Sequence, residues 1–252
     1  MKLYFRTLGS GAPIVIMHGV FGTSDNWITV SKELAKTNQV YLLDLRNHGQ
    51  SPHSDLFTYE EMAKDLEEFL SDHQLQKPII IGHSMGGKVA MRYAKDFTNI
   101  GKLIVVDISP RFYPPHHQTI LAGLNAMPLE ELQSRQQADE QLAAYIPELG
   151  VRQFLLKNLF RNEEGQFAWR LNLKVITDQI DIVGEPLGED SKIDVPTLFI
   201  KGANSNYIVE NDEILIKKIF SKVTIETIEN AGHWVQAEQP QKFSEVVGRF
   251  IL

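Results

Sequence analysis

The stretch Pro78-Ile79-Ile80-Ile81-Gly82-His83-Ser84-Met85-Gly86-Gly87 constrains this chain more than any other. Three isoleucines run into Gly-x-Ser-x-Gly, and a helical pattern, Lys88-Val89-Ala90-Met91-Arg92-Tyr93-Ala94, follows at once. Such a strand-to-helix turn, the nucleophile elbow, holds a serine hydroxyl up at the end of the strand. Gly82 and Gly86 lack Cβ atoms, so strand and helix can approach closely and Ser84 can take a strained backbone. The N–H of Met85, next after the serine, would face the oxyanion of a tetrahedral intermediate.

Composition narrows the chemistry around that serine. The chain has 252 residues, which suits one large α/β domain with room for an inserted subdomain. It is 43% hydrophobic and 23% charged, enough to bury a core and stay soluble. A net charge of −7 argues against nucleic acid and anionic membranes as partners. The absence of cysteine excludes disulfides, thiolate catalysis and cysteine-based metal sites, and it is compatible with a cytoplasmic location. No signal segment opens the chain and no run reaches about 18 apolar residues, so no membrane span is expected.

Taken in order, the chain alternates. Lys2–Thr7 reads as an edge strand and Pro13–Met17 as a buried parallel strand. Ser24-Asp25 would cap a helix running to about Lys36, and Gln39–Leu45 is the next strand. The loop Asp44-Leu45-Arg46-Asn47-His48-Gly49-Gln50-Ser51 reads as a hydrogen-bonded turn scaffold, without catalytic duty for Asp44 or His48. Thr58 with Glu61 has the capping-box offset, and a helix to about His73 presents Met62, Leu66, Phe69 and Leu70 on one face. After the elbow comes Lys102–Ile108, a buried strand ending in polar residues. The expected fold is therefore α/β: a mostly parallel central sheet with helices on both faces. Ligands bind such sheets at the carboxyl ends of the strands, which sets His18, Ser84 and Asp107 on one rim.

The rhythm breaks after Pro110 and resumes near Asp194. Residues 1–110 and 194–252 are read as the core, and 111–193 as a mostly helical lid. Helices are expected at Thr119–Met127, Leu129–Ala144 and Val151–Phe160, with Gly165–Ile182 ambiguous and no strand foreseen. Of Phe112, Tyr113, Leu121, Leu124, Phe154, Leu155, Phe160 and Trp169, most should form the lid's own core and one or two should touch substrate. The adjacent pair His116-His117 diverges in a linker and has no suitably spaced carboxylate, so no metal site is expected. Beyond the lid, Asp194–Gly202 is a strand, Val209–Phe220 a helix and Val223–Ile228 the last strand; a final helix opens at Pro240.

The partners of an elbow serine follow in the order serine, acid, histidine, and His233, in Asn230-Ala231-Gly232-His233-Trp234-Val235, is the only histidine after His117. Its role would be general base for Ser84 and then general acid to the leaving group. His18-Gly19-Val20-Phe21-Gly22, just after an early strand, is where a second oxyanion donor belongs. That donor is assigned to the Val20 N–H, with Phe21 lining the acyl pocket and His18 reading best as a loop histidine at the pocket's edge. Trp234, Phe112 and Tyr113 complete the expected substrate-binding set.

Together, Asp-Leu-Arg-Asn-His-Gly-Gln-Ser, Gly-His-Ser-Met-Gly-Gly and Asn-Ala-Gly-His-Trp-Val resemble the α/β-hydrolase superfamily over nearly the whole chain. The likeness is greatest to the bacterial YbfF-type esterases and the related mitochondrial abhydrolase-domain proteins. The resemblance implies a carboxylesterase or acyl thioesterase acting on short to medium acyl groups of small molecules, with no cofactor. One departure concerns the acid. Most of the superfamily carries it three residues past the glycine of the strand ending at Gly202, and Ser205 stands there. Asp107 is the candidate acid instead, a position some members use, with Ser205 giving a second hydrogen bond that orients His233. Asp212 is the alternative, although its helical register points it to solvent. A C–C bond hydrolase, a lyase, a perhydrolase and a catalytically silent ligand-binding module remain alternatives. Monomer and homodimer are both open.

Overall fold

A computed structural model describes all of residues 1–252. In chain order the core strands are β1 (Phe5–Gly9), β2 (Ala12–Met17), β3 (Asn38–Leu43), β4 (Ile79–His83) and β5 (Lys102–Val106). The helices among them are α1 (Ile28–Leu34), α2 (Tyr59–Asp72) and α3 (Met85–Asp96). Next come α4 (Gln118–Asn125), α5 (Arg135–Ala143), α6 (Leu149–Leu156), a small hairpin of β6 (Leu159–Arg161) and β7 (Phe167–Trp169), and α7 (Leu173–Asp178). The chain closes with β8 (Thr197–Gly202), α8 (Glu210–Ile219), β9 (Val223–Ile228), α9 (Val235–Glu238) and α10 (Pro240–Ile251).

The seven core strands form one sheet in the order β1-β3-β2-β4-β5-β8-β9. Only β1, at the edge, is antiparallel. The aliphatic runs of β2, β4 and β5 are covered on both faces, as parallel strands require. Alternate residues go to opposite layers. Val15, Met17, Ile80, Leu103 and Val105 join α2, α3 and α8 in one core. Ile14, Ile16, Ile79, Ile81, Ile104 and Val106 join α1 and α10 in the other. The order of strands reverses between β2 and β4, so the loops after those two strands splay around a crevice.

Two buried histidines hold the loop after β2. His18 Nε2 accepts from Leu45 N at 3.0 Å and its Nδ1–H donates to Gly19 O at 2.8 Å. His48 Nε2 accepts from Phe21 N at 3.2 Å and its Nδ1–H donates to Arg46 O at 2.9 Å. Both rings must be neutral to accept those amides. Burial lowers His18 to about 4 and His48 to about 3. The loop after β3 is the polar scaffold its composition suggests: Asp44 accepts from Ser24 N at 2.6 Å and Gln50 N at 2.8 Å, while Arg46 is paired with buried Asp65 at 2.6 Å.

The segment between β5 and β8 departs from expectation in detail. The second lid helix starts at Arg135, not Leu129, because Ser134 caps it by accepting from Gln137 N at 3.1 Å. The third spans Leu149–Leu156, not Val151–Phe160, because Phe160 enters the unforeseen β6–β7 hairpin. Strands of three residues are too short to display an alternation. Both crossings into this segment are tied to the core by Lys88, whose buried Nζ donates to Arg111 O at 2.6 Å and Glu185 O at 2.7 Å.

Because the folded values of His18 and His48 lie below the ordinary 6.5, the unfolded chain takes up their protons first as pH falls. Stability is then unaffected by them above about pH 6.5 and is lost from there down to about pH 4. Burial lowers His83 and His117 as well, so four groups act together and the slope approaches about 5 kcal/mol per pH unit. Urea unfolding between pH 6.5 and 5, above the range of most carboxylates, checks this; a flat stability there would contradict it.

Candidate active site

Ser84 sits between β4 and α3 with φ 52° and ψ −117°, a left-handed region costly for a residue with a Cβ. The flanking glycines explain how the turn closes. A Cβ on Gly82 would lie 2.1 Å from Gly86 O, and one on Gly86 would lie 2.6 Å from the carbonyls of Met17 and His18. Ser84 is secured through its own N–H, which donates to Val106 O at 3.0 Å. Met85 is the first residue of α3, so its amide has no acceptor one turn back in the helix. Across the crevice, Val20 N makes no hydrogen bond within the protein, whereas its neighbour Phe21 N is taken by His48. Two amides in the loops around Ser84 are therefore candidates to bind an anionic oxygen.

Asp107 occupies the position after β5 that Ser84 occupies after β4, since β4 and β5 pair in parallel with His83 opposite Val106. It too has a positive φ, 50°, and it is wholly buried. One carboxylate oxygen accepts from Gly202 N at 3.1 Å. The other accepts from Ser205 Oγ and from His233 Nδ1, the latter at 2.8 Å. Donation from Nδ1 fixes the tautomer of a neutral His233 and leaves Nε2 as the free ring nitrogen. The His233 ring stacks on Tyr207 at 3.9 Å and 17°, and its backbone carbonyl accepts from His83 Nε2 at 2.8 Å. Ser84 and His233 line one cavity, with no hydrogen bond yet joining them. Such contacts often close only around substrate.

That cavity has a volume of about 490 Å³. Phe21, Trp27, Ile120, Val151, Phe154 and Trp234 make much of it apolar. His117 also faces it, lowered to about 4 by burial and then by His116 and His233, so it presents a neutral ring.

The structure brings together Ser84, His233, Asp107, Ser205, Val20, His18, Phe21 and Trp234, and sets others apart. Phe112 is 55% exposed and lies outside the cavity, in the turn leading to the lid. Tyr113 is buried but also outside it: its hydroxyl accepts from Ser109 N at 2.8 Å and donates to Tyr207 O. Asp212 does not face solvent. It is buried at the start of α8, accepts Val209 N at 2.9 Å, and pairs with Arg111 at 2.9 Å rather than with His233. Of the eight lid residues expected to form a core or a roof, Phe154 alone lines the cavity. Sequence reasoning missed Tyr207, which no motif marks. Besides stacking on His233, it donates its backbone N–H to Ser205 Oγ at 3.2 Å and hydrogen-bonds His116 through its hydroxyl at 2.6 Å.

Comparison with known proteins bears on the whole chain. A family model described as Alpha/beta hydrolase family matches residues 14–246. The chain is 38% identical over 247 residues to the sn-1-specific diacylglycerol lipase ABHD11 of Mus musculus, covering 94% of this chain and 80% of that one. It is 38% identical over 250 residues to esterase YbfF of Escherichia coli, covering 96% and 94%. A solved structure of a marine microorganism esterase, 43% identical, superposes with a TM-score of 0.96 over 99% of both chains.

A fluorophosphonate, which reacts with activated serine hydroxyls, is expected to label the protein once, at Ser84. Replacing the stacked ring by Tyr207→Ala should slow labelling about tenfold, whereas Tyr207→Phe, which keeps the stack, should stay within about twofold, a ring stack being worth about 0.5–1.5 kcal/mol. Peptide mapping and labelling kinetics read both. Equal rates in all three proteins would remove Tyr207 from the site.

Proposed function

The chain belongs to the alpha/beta hydrolase family, and we propose that it is a serine hydrolase cleaving carboxylic esters or thioesters of short to medium acyl chains. The observation that carries this reading is that Ser84 and His233, from distant parts of the chain, line one cavity, with the buried Asp107 behind His233 and 2.8 Å from its Nδ1. Relatives named esterase and diacylglycerol lipase support it.

In the proposed cycle the acyl group lies in the apolar cavity under residues 111–193, which act as a lid. Ser84 Oγ attacks the carbonyl carbon, and His233 Nε2 takes its proton. Asp107 stabilises the resulting imidazolium, with Ser205 holding the carboxylate in place. The Val20 and Met85 amides donate to the oxyanion, one such donor being worth about 3 kcal/mol. His233 then protonates the leaving alcohol or thiol, and an acyl-Ser84 ester remains. Water, deprotonated by His233, releases the carboxylic acid and restores the serine. No cofactor takes part.

Hydrolysis of p-nitrophenyl esters from acetate to laurate tests this. Ser84→Ala should lose at least about 10³-fold in kcat, and Asp107→Asn about 10³–10⁴-fold, since an amide would favour the wrong tautomer. Ser205→Ala removes one bond to a charged group, and a loss of about ten- to a hundredfold is expected. An inert wild type, or a fully active Ser84→Ala, would overturn the reading. The cavity volume falls within the about 300–1,000 Å³ usual for small-molecule sites. Val151→Trp, which fills it from α6, should shift the best substrate to a shorter chain; an unchanged chain-length profile would place the acyl group elsewhere.

A further inference from the structure

A second cavity, of about 220 Å³, lies between the core and the lid and shares no lining residue with the first. Arg6 of β1 and Thr23, just past the loop after β2, form its core side. Arg135 of α5, Lys157 after α6 and Arg170 after β7 form its lid side. Asp25 and Asp44 are the only carboxylates in the lining, which thus carries four cations against two anions in a chain of net charge −7. Asp44 is already committed to the amides of Ser24 and Gln50, and Asp25 to Arg6 at 2.9 Å. Arg135 is held by the carbonyls of Leu156, at 2.7 Å, and Leu159, so no carboxylate neutralises it. Lys157 and Arg170 make no ion pair at all; the Arg170 guanidinium is braced 4.8 Å from the Phe160 ring. Beside the cavity, Arg6 Nε and Thr23 Oγ1 are buried without a hydrogen-bond partner.

Cations gathered from both sides of a polar cleft repel one another unless an anion enters. Guanidinium forks match phosphate oxygens, and an ammonium serves as a point charge beside them. Donors approaching from the core and from the lid suit a tetrahedral group with several oxygens better than a planar carboxylate. We propose that this cavity binds the phosphate group of a mono- or diphosphate compound, bridging core and lid. The phosphate is either carried by the substrate or belongs to a separate ligand.

Isothermal titration calorimetry with inorganic pyrophosphate at low ionic strength tests the site without relying on hydrolysis. The wild type should bind with a submillimolar Kd that weakens with added salt. Binding should fall at least tenfold in the double variant Lys157→Met/Arg170→Met. Lys157 is exposed, so Lys157→Glu keeps the fold and should weaken binding as well. No binding by the wild type at millimolar pyrophosphate, or equal binding by the folded variants, would overturn the proposal. Acetyl-coenzyme A and S-acetyl-N-acetylcysteamine, the same thioester without phosphates, separate the sources. A kcat/KM lowered by the double variant only for the coenzyme A ester assigns the phosphate to the substrate. Unchanged values for both, with pyrophosphate binding lost, assign it to a separate ligand.

Discussion

Burial of the Asp107 carboxylate is the constraint on which the rest of the structure depends. A charged carboxylate removed from water costs several kcal/mol unless its oxygens are fully bonded. Its three donors come from the end of β8, from the loop after it and from the loop after β9. Each bond to a charged group contributes about 1.5–3 kcal/mol, so the three together can offset the penalty. The carboxylate is therefore stabilised by donors that converge when β5, β8 and the His233 loop are assembled in register. The same arrangement fixes the tautomer of His233. Stability and the proposed chemistry use one set of bonds, and Ser205 belongs to both. A hydroxyl at that position cannot carry the charge, but it can hold the charge supplied by the neighbouring strand.

Strain gathers at the same rim. Phe21, Ser84, Asp107 and Asn230 all have φ between 50° and 61°, and they follow β2, β4, β5 and β9. Each non-glycine residue in that region costs of order 1–3 kcal/mol. The parallel sheet holds them there: Ser84 N donates to Val106 O and Asp107 N to Ile200 O, continuing the ladder one residue beyond each strand. A rigid sheet thus sets loop backbones that loops alone would not keep. This is why the candidate catalytic side chains are found at the ends of its strands and not along them.

Much of this was legible before any coordinates. Aliphatic runs such as Ile79–Ile81 and Leu103–Val106, short and bounded by turn residues, read as buried strands, and Gly82 and Gly86 are where a Cβ would strike backbone. Asp107 could be preferred because it shares the strand-end level of Ser84. What escaped detection depends on contacts that sequence spacing does not encode. Asp212 reads as a solvent-facing helical residue, yet Arg111, about a hundred positions earlier, pulls it into a buried pair. Phe112 looks like a pocket residue because it is aromatic and close to the rim, but the neighbouring Tyr113 takes the inward position and Phe112 turns outward. Tyr207 stacks on His233 through the fold alone. The β6–β7 hairpin is set by pairing over three residues, too few for a periodic signal.

Residues 111–193, the proposed lid, are tied into the candidate site at several points. Asn158, following α6, donates to Phe21 O at 2.7 Å and so braces the loop that carries the Val20 amide. His116 holds the hydroxyl of the tyrosine that stacks on His233. Lys88, one helical turn past Ser84, binds both crossings into the lid. Lifting residues 111–193 as a rigid body would break contacts to the loop after β2, to the tyrosine stacked on His233 and to α3 together. Tyr145–Glu148, which join α5 to α6, line the cavity without tying into those contacts. In the proposed cycle the labour divides: strand ends fix the reacting groups, and residues 111–193 set both their final alignment and the volume open to the acyl chain.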